Sequence, residues 1–170
     1  MPTEAPTAEL AQHFSSPGAD PVAWVEAIPR LETAEIFWLS TVRPNGRPHV
    51  TPLIAVWLDG ALYLSTSADE RKYKNLLGNP HVVITTGCNA LREDIDLVIE
   101  GDAVRVSNES TLHRVADEFF KKYGKEWHFT VRDGAFLNPE GGGGPLHHVR
   151  PKMAFGFGRG EQYSQTRWRF

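Results

Sequence analysis

The chain of 170 residues is 41% hydrophobic, 23% charged and 11% aromatic, and 18 basic against 21 acidic residues leave a net charge of −3. That size and apolar content suffice for one buried core and exclude a chain that is disordered throughout, while the charge balance gives no case for nucleic-acid binding. The single cysteine, Cys88, excludes an internal disulfide framework and a cysteine-cluster metal site. The longest apolar run, Leu53 to Leu58, is far too short to span a bilayer. Residues 1–20 carry Glu4, Glu9 and Asp20 but no Lys or Arg, unlike a signal peptide. A soluble cytoplasmic protein that engages neither nucleic acid nor membrane is the expectation.

Residues 1–20, rich in Pro, Ala, Thr and Ser, read as a loosely held, flexible arm ahead of one domain over residues 21–170. Val22, Val25, Ala27 and Ile28 lie near helical spacing before Pro29, with Leu31 and Ile36 following, which predicts one or two short helices. Strands follow. Ile36–Val42 is aromatic and β-branched and ends at the turn Arg43-Pro44-Asn45-Gly46; Arg47–Trp57 reads as one long strand closed by Asp59-Gly60, and Ala61–Thr66 as a third. Asp69 as N-cap and Gly78-Asn79-Pro80 as a stop predict a short helix over 69–78. His81–Thr86 is a further strand. Along Asp94–Val106 the apolar positions change phase at Gly101-Asp102, which predicts a β-bulge there.

Leu112, Val115, Ala116, Phe119, Phe120 and Tyr123 recur at helical spacing, so residues 108–123 form the clearest helix, capped by Ser107 or Asn108 and stopped by Gly124. Residues 134–146 read as a loop, and Lys152–Arg159 and Gln165–Phe170 as closing strands. Short strands and tight turns imply a mainly β (α+β) fold, an antiparallel sheet closed into a barrel with peripheral helices.

Arg71 and Lys72 stand in the first turn of the 69–78 helix, where the macrodipole disfavours cations. An anion such as a phosphate held at that helix start offsets the mismatch; a solvated basic face balanced by Asp69 and Glu70 is the plainer reading. In Arg47-Pro48-His49-Val50-Thr51-Pro52, two prolines place the strand at a sheet edge. Alternation sends His49 and Thr51 to one side and Val50 and Pro52 to the other.

The ordered set of a Pro44-Asn45-Gly46-Arg47-Pro48-His49 turn, a long strand, Leu62-Tyr63-Leu64-Ser65-Thr66, then Arg71-Lys72 and Asn75-Leu76 before Asn79-Pro80, resembles the pyridoxamine 5′-phosphate oxidase-like family. The likeness runs from about residue 34 to 106, with an echo at Arg167-Trp168-Arg169-Phe170. It implies a six-stranded split β-barrel, a homodimer with cofactor sites at the subunit interface, and an FMN-like cofactor acting on a small-molecule substrate. By position, Arg71 and Lys72 match the phosphate-binding pair, and Ser65 and Thr66 the strand end that helps hold it. His49, Val50, Thr51 and Pro52 match the strand along the flavin ring. Thr51 and Val56 stand where the oxidase proper has basic residues, and its tail motif is longer, so oxidation of the vitamin B6 phosphate is not expected. Short-chain relatives that use a deazaflavin coenzyme, and non-catalytic flavin or haem carriers on the same barrel, are the alternatives.

In the tail, Met153, Phe155 and Phe157 alternate with Ala154, Gly156 and Gly158, leaving one face nearly bare. No helix follows Gly156-x-Gly158-x-Gly160, which excludes a dinucleotide fingerprint. Trp168 either closes the barrel or lines the ring side of the cofactor pocket. Gly141–Gly144 lacks a P-loop ending and reads as a mobile loop or lid, His147-His148 has no partner at metal-ligand spacing, and Cys88 reads as an inert thiol. Asp94 and Asp96 share a strand face and read as solvent-facing rather than as an acid/base pair. No catalytic side chain is assigned, since a flavin carries its own chemistry; His49 is only a weak candidate for a general acid. Loops 87–94 and 134–148 are expected to shape the substrate pocket.

Overall fold

A computed structural model describes residues 5–92, 95–140 and 142–170. Twelve strands and three α-helices follow in chain order: β1 (Thr7–Leu10), α1 (Trp24–Thr33), β2 (Phe37–Val42), β3 (Pro48–Leu53), β4 (Val56–Leu58), β5 (Ala61–Ser65), α2 (Arg71–Gly78), β6 (His81–Thr86), β7 (Ile95–Arg105), α3 (Glu109–Tyr123), β8 (Thr130–Arg132), β9 (Ala135–Leu137), β10 (Gly143–Gly144), β11 (Leu146–Arg159) and β12 (Tyr163–Arg169). Every pairing is antiparallel. The main sheet runs β1-β12-β11-β7-β6-β2-β3, with β4 and β5 joined to it through β11, and β8–β10 form a small second sheet. The expected mainly β, antiparallel fold with peripheral helices is the observed one. Nine strands join the main sheet because the arm contributes β1 and the long second strand divides in two.

The fork lies in β11. Its residues Leu146–Val149 pair with β5 on one edge, and Met153–Arg159 pair with β12 on that same edge, while β7 runs along the other. The register shifts between Pro151 and Met153, opposite Gly101 and Glu100. A bulge was expected at Gly101-Asp102 on the facing strand; the extra residue belongs to β11 instead. Alternation along β7 is unbroken, with Leu97, Ile99, Gly101 and Ala103 all buried. Gly101 permits the bend, since a Cβ there would lie 2.4 Å from the Arg150 carbonyl oxygen. The expected first residue of this strand, Asp94, lies outside the described residues.

Two cores result. Phe37, Leu39, Leu62, Leu64, Ile84 and Leu97 fill the barrel, closed by Leu31 of α1 and by Trp168. A second cluster forms where Leu112, Val115 and Phe119 of α3 meet Tyr63, Phe129 and Phe136. The first four residues of β5, Ala61–Leu64, therefore read as a continuous apolar run because both faces are covered. Asn108 caps α3 by accepting from the Thr111 N–H at 2.9 Å, and Gly124 ends it at φ 84°. α1 continues through Pro29, which stands on its exposed side.

The expected single strand over 47–57 breaks at Ile54-Ala55. The Tyr123 hydroxyl lies 3.2 Å from the Ala55 N–H and 2.8 Å from the Ala55 carbonyl, and Lys122 Nζ donates to that carbonyl at 3.0 Å. The α3 terminus thus satisfies the groups that a continuous ladder would use. The arm, expected to be loosely held, pairs through β1 with β12, and Glu9 bonds Arg167. No helix of the described residues is long and apolar enough to cross a membrane.

Candidate functional site

β5 ends at Ser65, and the chain passes to α2 through a turn built on Ser67-Ala68-Asp69-Glu70. Glu70 reaches back to accept the Ser67 N–H at 2.8 Å, which closes the turn ahead of the helix. The helix starts one residue later than expected, so Glu70 rather than Asp69 holds the cap position. The same carboxylate accepts from the Thr66 hydroxyl at 2.8 Å and pairs with Lys72 Nζ. Burial pushes the Glu70 carboxyl up, but the bonds from Lys72, Thr66 and Ser67 outweigh it and hold the group below its usual value. Lys72 is 7% exposed, whereas Arg71 is exposed. One helical step of about 100° separates the pair, so they diverge.

Deeper along α2, Asn75 is 2% exposed and donates from Nδ2 to the Thr41 hydroxyl at 2.9 Å. Thr41 donates in turn to the His49 carbonyl at 3.3 Å, and its oxygen lies 3.4 Å from His49 Nδ1. The Asn75 Oδ1 and Thr51 Oγ1 atoms are buried with no hydrogen-bond partner among the described residues. Burial, then Arg43, Lys72 and Arg71, hold the His49 pKa below its usual value, so its imidazole is neutral at neutral pH.

A cleft of about 440 Å³ opens beside this turn. Ser65, Thr66, Ser67, Glu70 and Lys72 supply its polar lining from the β5–α2 junction. Pro52, Leu53 and Ile54 from the end of β3, with Phe119, Trp127 and Phe129, supply its apolar lining. β3 pairs only with β2, so its other edge is unpaired within the described residues, as the two prolines predicted. The glycine run closes the turn side. Gly144 packs so tightly that a Cβ would lie 2.1 Å from the Thr66 carbonyl oxygen, and Ser65 Oγ donates to the Gly144 carbonyl at 3.0 Å. Gly142–Gly144 thereby seat on β9 and the end of β5, where a mobile lid was expected; Gly141 lies outside the described residues.

Of the expected site residues, Lys72, Ser65, Thr66 and Pro52 line the cleft. His49 and Thr51 face the α2 side of β3, and Val50 points outward at 51% exposure. Arg71 is not among the lining residues. Trp168 is fully buried in the barrel, donates its indole N–H to the Val22 carbonyl at 2.9 Å and packs edge-on against Trp24. It closes the barrel and does not reach the cleft. His147 and His148 sit on opposite faces of β11, against Tyr73 and Tyr63. Asp96 accepts from Arg159 at 2.7 Å; its expected companion Asp94 is not described.

Asn138 lies in the 134–148 loop expected to shape the pocket, and sequence reasoning missed Glu70, Trp127 and Phe129 at the cleft. The Ser67-x-x-Glu70 spacing was a legible sign of the first; nothing local marked the others, which arrive through the packing of α3. On the outer sheet face, Pro52, Trp38, Thr85, Val98 and Phe155 stand in register across five strands, and Trp38 is 49% exposed. This strip begins at Pro52, on the rim of the cleft.

The described donors fit a ligand with an anionic head and a flat apolar body: a buried ammonium and two hydroxyls beside an aromatic wall, with two orphaned polar atoms nearby. A family model described as pyridoxamine 5′-phosphate oxidase matches residues 25–141, more than half of the chain. No curated protein matches. Among solved structures, the conserved hypothetical protein Rv2991 from Mycobacterium tuberculosis superposes with a TM-score of 0.66 at 20% identity, covering 81% of this chain and 86% of its own. A heme binding protein from Mycobacterium smegmatis gives 0.60 at 17% identity over 78% of this chain and 52% of its own. An F420 reductase gives 0.53 at 20% identity over 74% and 93%. These likenesses establish a shared fold.

Proposed function

Because the chain belongs to the pyridoxamine 5′-phosphate oxidase family, we propose that it is a flavin-dependent oxidoreductase, binding FMN in this cleft and acting on a small organic substrate. The observation that carries the reading is Lys72, a buried ammonium set beside the Ser65 and Thr66 hydroxyls in a cleft to which Pro52, Leu53, Phe119, Trp127 and Phe129 add apolar groups. Lys72 and the two hydroxyls would hold the phosphate. The unpaired edge of β3 would bond the polar rim of the ring, and Phe119 and Phe129 would exclude water. When bound, the flavin would supply the hydride or electron transfer. His49, neutral and tied to Thr41, has a positioning role on β3.

The cofactor site is completed by a second copy of the chain, packed on the strip of Trp38, Val98 and Phe155 that continues from the cleft rim. In sedimentation experiments the wild-type chain is expected to run as a dimer and Trp38→Glu as a monomer; a monomeric wild type would remove the shared site. The visible spectrum of the purified protein tests the cofactor. A flavin spectrum supports FMN. A Soret band assigns the chain to haem instead, and a colourless protein that responds only to added deazaflavin assigns it to that coenzyme.

A further inference from the structure

The carboxylate of Glu70 takes hydrogen bonds from three donors at once, the Thr66 hydroxyl, the Ser67 N–H and the Lys72 ammonium. That set is a hydroxyl, a backbone amide at a helix entrance and a buried cation, the donors that a phosphate monoester would recruit. Glu70 also lines the cleft beside them. Resting on the FMN reading above, we propose that Glu70 is an internal anion that occupies the phosphate cradle and must be displaced for the cofactor to bind, making it the residue that sets cofactor affinity.

Three features support displacement over a fixed structural pair. First, the side-chain carboxylate of Glu70 is 42% exposed although its partner Lys72 is 9% exposed, so it has solvent to swing into. Second, Lys72 finds no other anion among the bonds of the described residues, so Glu70 is what satisfies its buried charge without a ligand. Third, a cradle in which Glu70 stayed would place a carboxylate against a phosphate within one hydrogen-bond shell, and like charges at such distances repel strongly in a partly dry site. The plainer role of Glu70 is to close the Ser67–Glu70 turn at the entrance to α2. Glutamine performs that role equally well, because its amide oxygen still accepts the Ser67 N–H. Glu70→Gln therefore removes the charge and keeps the turn.

The test is a fluorescence titration of the full-length wild type and Glu70→Gln with FMN and with riboflavin, which has the ring but no phosphate. Competition for the cradle predicts that Glu70→Gln binds FMN about tenfold more tightly than wild type or better, with riboflavin affinity unchanged and cooperative unfolding retained. Binding of FMN by Glu70→Gln with none by wild type supports the same conclusion. Equal or weaker FMN binding by Glu70→Gln, with wild type binding FMN well, overturns the role of Glu70 and leaves the flavin reading standing. Equal tightening toward riboflavin and FMN also overturns it, since the effect then lies outside the phosphate. Failure of both proteins to bind either flavin overturns both readings.

Discussion

Two lysines are withdrawn from water in this molecule, and they differ in what they hold. Lys72, at the start of α2, faces a side-chain carboxylate and the cleft. Lys122, at the end of α3, donates to the main-chain carbonyls of Ala55 at 3.0 Å and Leu31 at 3.5 Å, and lies 5.1 Å from the ring centres of Phe37 and Tyr123. Burial lowers the Lys122 pKa to about 8, against weaker opposing pulls from Glu35 and Glu32. A carboxylate on a partly exposed side chain can be exchanged for another anion; backbone carbonyls and packed rings cannot. On the proposed reading the first lysine serves binding, and the second holds β3, β4 and α1 together.

The largest expected effect separates the two regions directly. Lys72→Met keeps the aliphatic stem and should weaken FMN binding by about a hundredfold, measured by titration, while the protein still unfolds cooperatively. Tyr123→Phe should do the reverse. It strips the hydroxyl from Ala55 and Glu35 and should cost about 1–3 kcal/mol in denaturant unfolding, with FMN affinity retained in the fully folded protein. A Tyr123→Phe variant that loses FMN at full folding would show that the two regions act as one.

Lys122 gives a smaller, pH-dependent effect. Its folded pKa lies below the value of 10.5 that it has when exposed, so the unfolded chain holds more protons between about pH 8 and 10.5, and its contribution to stability rises with pH across that window. Lys122→Met should remove that rise, as read from unfolding curves at pH 7.5 and 9.5, and an unchanged profile would count against a desolvated amine. The smallest effect belongs to Asp69→Ala, which should shift stability by less than about 0.5 kcal/mol because Asp69 is exposed and Glu70 holds the cap position.

The sequence made the barrel legible where a residue's neighbours along the chain decide its fate. Alternation in β2, β6 and β7, the caps of α3 and the prolines of β3 are local signals. It hid what depends on distant contacts. The break at Ala55 is caused by Tyr123, and the bulge near Gly101 belongs to a strand fifty residues further on. At the site, the cationic pair was visible but its division was not, because only the orientation of α2 decides that Lys72 turns inward and Arg71 outward. Trp168 was legible as one of two alternatives, and burial in the barrel selected between them.

The central claim is that this cleft recognises a flavin through its phosphate. Parallel titrations of the wild-type protein with FMN and riboflavin test it most directly. The account predicts saturable binding of FMN at one per chain, at least about tenfold tighter than riboflavin; equal affinity for the two, or none for either, would contradict it.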